Sequence, residues 1–145
     1  MEEEWARRFC AQLERRDEGG GWVLRLDEFC YQACCDPGLP LQRPLAYVAQ
    51  RMAELVAFGL DQTDRSFPAF RTLNRLGHLF LREGDHPRAR ELFTLLLAHR
   101  AGRAWTAPEE WFFHASVALC LALLLLERDE FAAALLHLFA VDAAL

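Results

Sequence analysis

Leu73-Asn74-Arg75-Leu76-Gly77-His78-Leu79-Phe80-Leu81-Arg82-Glu83-Gly84-Asp85-His86-Pro87-Arg88-Ala89-Arg90-Glu91-Leu92-Phe93-Thr94-Leu95-Leu96-Leu97-Ala98 decides the fold. Two apolar runs of helix length flank a break at Gly84-Asp85-His86-Pro87. Gly84 stops the first helix and Asp85 caps the second. Pro87 fits the first turn, where its missing N–H costs nothing. Gly77 and Ala89 are small enough to let two helices approach, and Phe80 and Phe93 fill the space around that crossing.

The same punctuation runs outward from this hairpin. Glu2 to Arg16 predicts a helix, with Trp5, Phe9 and Leu13 recurring on one face. Gly19-Gly20-Gly21 breaks it. In Trp22 to Cys35, Val23, Leu24 and Leu26 suit the start of a strand, whereas Asp27 to Cys35 prefers a helix with Phe29, Cys30, Ala33 and Cys34 on one side. Asp36-Pro37-Gly38-Leu39-Pro40 is a stop, and Pro44 opens the next segment. Leu45 to Leu60 predicts one helix, from the spacing of Leu45, Val48, Met52, Leu55, Val56 and Leu60. Asp61 to Pro68 connects it to a helix over Ala69 to Arg82. After the hairpin, Pro108-Glu109-Glu110 starts a helix reaching about Glu127. Arg128-Asp129-Glu130 breaks it, and Phe131 to Leu145 forms the last helix. No strand finds a partner strand. The expected class is all-α, an antiparallel helix-hairpin superhelix of about six to seven helices in one domain over 1–145. The N-terminal helices occupy 1–66 and two hairpins occupy 70–145.

Composition narrows the function classes. Apolar residues make up 53% of 145, so either the core is unusually full or an apolar face awaits a partner. The net charge is −5 with both signs interspersed, which opposes a nucleic-acid surface. All 16 basic residues are Arg, a pattern of GC-rich coding. The longest apolar run, Trp111 to Leu126, falls short of the ~20 residues that span a bilayer, so no membrane insertion is expected. The acidic start Met1-Glu2-Glu3-Glu4 opposes a secretion or mitochondrial signal, and a cytoplasmic location is expected. The five cysteines, Cys10, Cys30, Cys34, Cys35 and Cys120, read as buried reduced thiols.

Catalytic chemistry finds little support. Cys30, Cys34 and Cys35 lack a second ligand pair for zinc, so packed thiols are the simpler reading. His78, His86, His99, His114 and His137 are scattered, and no phosphate-binding loop occurs. The chain is expected not to be an enzyme and to need no cofactor or metal.

The Leu73–Ala98 unit resembles a tetratricopeptide repeat, a helix–turn–helix of about 34 residues. With Phe70 as its first position, Leu73 takes the large-residue place. Leu76-Gly77 matches the Leu-Gly pair and Phe80 the aromatic position. Gly84-Asp85 matches the turn, Ala89 the small crossing residue and Phe93 the second aromatic. Leu96 departs from the usual Ala. A degenerate copy runs through Ala118, Leu121, Ala122, Leu125, Phe131, Ala134 and Leu138, without the turn Gly.

The resemblance implies a protein-interaction module or chaperone with a concave groove. Carried over by position, Arg71, Asn74, His78, Leu81 and Arg82 line it from the first repeat. Ser116, Leu119, Leu123 and Leu126 line it from the second, with Glu127 at the edge. Such a groove suits an amphipathic partner segment with an apolar face and some acidic side chains. The plainer alternative makes Leu119, Leu123 and Leu126 core residues covered by the N-terminal helices. Arg71, Arg75 and Arg82 resemble a carboxylate clamp only loosely, and a solvated helix face is the simpler reading. In size, acidity and helical build the chain is similar to the small repeat-containing chaperones of bacterial type III secretion. The other expectation is a structural subunit of a larger assembly. Either implies a hetero-oligomer or a homodimer.

Overall fold

The computed structural model describes residues 2–15, 21–60, 66–100 and 108–127. Among them there are seven helices and no strand: α1 (Glu2–Glu14), α2 (Gly21–Cys35), α3 (Gln42–Gln50), α4 (Met52–Leu60), α5 (Ser66–Arg82), α6 (His86–Arg100) and α7 (Pro108–Glu127). The class is all-α, built on helix hairpins. The helix expected over Phe131 to Leu145 lies outside the described residues. So does the second half of the downstream hairpin.

The α5–α6 hairpin follows its turn chemistry. Gly84 adopts φ +78°, the left-handed conformation that glycine takes without Cβ strain. Its N–H bonds to the Leu81 carbonyl at 3.0 Å, and the Asp85 N–H reaches the Phe80 carbonyl at 2.9 Å. These two bonds satisfy carbonyls that the helix end would leave open. Asp85 then caps α6. Its Oδ1 accepts from the Arg88 N–H at 3.3 Å, and its carbonyl takes the Ala89 N–H at 3.1 Å. A Cβ on Gly84 would meet no atom within 4 Å, so only backbone strain opposes substitution. Gly84→Ala is therefore expected to lower stability by about 1 kcal/mol, and Gly84→Asn by less. Urea unfolding measures both; an unchanged midpoint for Gly84→Ala would contradict the left-handed turn.

Two stretches depart from the sequence expectation. Trp22 to Cys35 is helix from its first residue, not a strand followed by a helix. Trp22, Val23, Leu26, Phe29, Cys30 and Ala33 are all buried, one continuous helical face. Val23-Leu24 alone fits either period, and packing of the whole face selects the helix. Leu45 to Leu60 is not one helix either. α3 begins earlier, at Gln42, and the backbone leaves helical geometry at Arg51 (φ −123°, ψ 20°). The Arg51 guanidinium lies 4.0 Å above the centre of the Tyr47 ring. No Pro or Gly marks the break, and every expected core residue on both sides of it is still buried.

Side-chain packing joins the helices in order. Trp5, Phe9 and Phe29 form an aromatic cluster between α1 and α2, with ring centroids 5.5–5.8 Å apart. Trp22 of α2 meets Phe58 of α4 at 5.3 Å. α4 lies against both α5 and α6, and α2 lies along α5. Gly59 faces Ala69 so closely that a Cβ on Gly59 would sit 3.1 Å from the Ala69 Cβ, which allows α4 and α5 to approach. α6 and α5 together receive α7.

Candidate functional site

α5 is the centre of the expected groove, and its polar face is used differently from expectation. Thr72, Arg75 and Arg82 recur at helical spacing on the side covered by α2. Asp27 of α2 accepts a hydrogen bond from the Thr72 hydroxyl at 3.2 Å and forms an ion pair with Arg75. The Arg82 guanidinium donates to the Ala33 backbone carbonyl, near the C-terminal end of α2. A cation is favoured at that end, where unpaired carbonyls concentrate negative partial charge. Arg75 and Arg82 therefore hold α2 in place. Arg82 stays exposed while it does so, and Arg75 is half-buried.

The remaining α5 residues divide. Asn74 was expected in the groove but is only 4% exposed, and its Oδ1 has no hydrogen-bond partner among the described residues. An unsatisfied buried acceptor costs about 1–3 kcal/mol. Leu81 is half-buried against the core, and Arg71 is half-buried with its Nε inaccessible. His78 keeps an exposed edge while its ring packs on Phe93, centroids 5.8 Å apart. Desolvation there lowers its pKa below the usual 6.5.

The sign of the resulting pH effect follows from that shift. The unfolded imidazole takes up a proton as pH falls through about 6.5, before the folded one does. Stability is thus full above that value and declines below it. His78→Gln is expected to lose less stability than the wild type between pH 7 and 5. Urea unfolding at the two values tests this, and equal losses would contradict the desolvation of His78.

α7 carries the surface that the sequence placed downstream. Val117, Ala118, Leu121, Ala122, Leu124 and Leu125 are buried. On the other side Phe112, Leu119 and Leu123 are 68%, 43% and 54% exposed. With half-buried Ser116 they form one stripe at i, i+4, i+7, i+11. Leu119 and Leu123 are therefore not core residues. Leu126 is half-buried against the core and belongs to the stripe only at its edge. Phe112 was missed from the sequence, although it stands seven residues before Leu119, on the same face. Glu127 closes the helix, hydrogen-bonded to His86 Nδ1 at 2.9 Å, and so ties the end of α7 to the start of α6.

A second exposed pair, Leu24 and Tyr31, lies on α2 and was also missed. Beside it, Trp5, Tyr31, Gln32, Cys35, Asp36 and Leu39 line an open cleft of about 370 Å³. Trp5 Nε1 donates to Gln32 Oε1 at 2.9 Å across its floor. The thiols do not all behave as expected. Cys10 and Cys30 are buried, and desolvation raises the pKa of both. Cys34 and Cys35, however, are exposed at the end of α2, and Cys34 points away from the core face. All five are free.

Among the described residues, no group of three or more His, Cys, Asp or Glu is placed to hold a metal ion. No helix among them is long and apolar enough to cross a membrane. What α7 offers chemically is an apolar contact surface. Comparisons with protein-family models, curated proteins and solved structures find no match to this chain.

Proposed function

We propose that this chain is a tetratricopeptide-like interaction module that holds an apolar segment of another protein on α7. The carrying observation is the stripe of Phe112, Leu119 and Leu123, three large apolar side chains open on one helical face. Isolated exposed leucines are ordinary, but a continuous stripe on one helix is the pattern of a docking surface. The α5–α6 hairpin supports the repeat reading, since Gly77, Gly84, Ala89 and Phe93 do the packing and turn work that such a repeat requires. A small chaperone that shields an apolar client in the cytoplasm, as in type III secretion, fits this surface. A permanent subunit would use the same face but would not exchange its partner.

The test is direct. The full chain is titrated into a fluorescein-labelled amphipathic helical peptide with a leucine face, and anisotropy is followed. Saturable binding that unlabelled peptide reverses is expected. A monodisperse monomer that binds neither the peptide nor an apolar dye would refute the proposal.

A further inference from the structure

The open face of α7 carries no Asp, Glu, Lys or Arg from Phe112 to Leu126. Phe112, Leu119 and Leu123 are exposed along it, with half-buried Ser116 between them. Glu127 stands beyond the stripe and is held by His86 of α6. No side chain of the stripe selects a partner by charge, so shape and size decide what fits it.

The stripe is complementary to itself. Its spacing of four, three and four residues reads the same from either end. When a second α7 lies antiparallel on it, Phe112 of each copy meets Leu123 of the other. At the centre Leu119 of each copy meets Ser116 of the other, the small residue of the stripe. A parallel pairing would instead set Leu119 on Leu119 and Ser116 on Ser116, bulk against bulk beside a gap. A two-fold contact requires a patch that matches itself in this way. The antiparallel order also places the positive end of each helix dipole beside the negative end of the other. Phe112 is two-thirds open and the two leucines about half open, so the three offer roughly 300 Å² per copy. That is well below the ~800 Å² per partner of a stable complex, and it fits a contact that another protein displaces. Resting on the proposed function, we infer that the stripe, when no client holds it, is covered by the α7 of a second copy of this chain, antiparallel to it, in a weak dimer.

The full chain is followed by sedimentation equilibrium from about 5 to about 500 µM, the range in which a contact of this size is read. A monomer–dimer equilibrium is expected, with the dimer lost when the leucine-faced peptide is added. Leu123→Arg should remove the dimer from the whole range, because each dimer carries the change twice. Phe112→Arg and Leu123→Glu should each be monomeric alone. An equal mixture of those two should recover part of the dimer, because the antiparallel order brings the new cation against the new carboxylate. Both positions are more than half exposed, and circular dichroism checks that the variants stay helical. A mixture that stays monomeric overturns the antiparallel pairing. A dimer that Leu123→Arg leaves intact lies on another surface and overturns the inference. A wild type that is monomeric throughout overturns it too. If that monomer binds the peptide, the interaction module stands; if it binds neither the peptide nor an apolar dye, the module falls with it.

Discussion

Gly77→Leu is expected to unfold the α5–α6 hairpin, with a loss above about 3 kcal/mol. A Cβ at position 77 would sit 2.3, 2.7 and 3.0 Å from the Cε1, Cζ and Cδ1 atoms of Phe93. Real Cβ atoms do not approach carbon so closely, so either the ring or the helix must move. Phe93 is fully buried and has His78 against it, which leaves the ring no vacant place. Gly77→Ala separates the two opposing effects. It gains up to about 1 kcal/mol of helix propensity and meets an overpacking cost of roughly 1–3 kcal/mol. A net loss is expected, and Leu, with three further carbons, should lose much more. Natural domains have only about 5–15 kcal/mol to lose. Gly77→Ala with Phe93→Leu should recover part of the loss, because the smaller side chain vacates the clash and the pair is coupled. Thermal unfolding measures all three variants. An unchanged midpoint for Gly77→Leu would show that Phe93 does not lie over Gly77.

Leu123→Arg is expected to abolish binding of the leucine-faced peptide while leaving the helical circular dichroism spectrum intact. Leu123 is more than half exposed, and Arg is as good a helix former as Leu, so stability should change by about 0.5 kcal/mol or less. At the centre of an apolar contact the same change removes the side chain and desolvates a charge. An anchor of this kind contributes about 2 kcal/mol or more, roughly a thirtyfold loss of affinity. Leu124→Arg is the control. It lies one residue further along, only 6% exposed, and should unfold the protein instead. If Leu123→Arg unfolds the chain as Leu124→Arg does, position 123 belongs to the core and the docking surface is lost.

The two variants differ by one position because a helix turns 100° per residue. Burial on α7 was legible from the sequence only as a helical period, since the run from Trp111 to Leu126 is apolar nearly all round. The stripe of Leu119 and Leu123 was placed through the repeat pattern. Phe112 was reachable by the same spacing and was not followed back. The cationic face of α5 misled for a different reason. Arg71, Arg75 and Arg82 look alike along the chain, and nothing near them names their partners. Asn74 looked like a polar groove residue because polarity alone does not reveal burial.

What the sequence by itself determined was local. The Gly84-Asp85 turn, the small residue under Phe93, the start of α7 at Pro108 and the all-α class each follow from residues within a turn or two of one another. Such preferences act through backbone strain, capping and face periodicity, and they need no distant partner. The tertiary structure decided the rest. Asp27 meets Thr72 and Arg75 across 45 and 48 residues, and Ala33 meets Arg82 across 49. Those contacts hold α2 along α5 and turn Arg75 and Arg82 toward it, while the packing of α7 on α5 and α6 leaves its other face carrying apolar surface outward. No pattern within a single helix encodes which neighbour will cover it, because that depends on how all the faces are buried together.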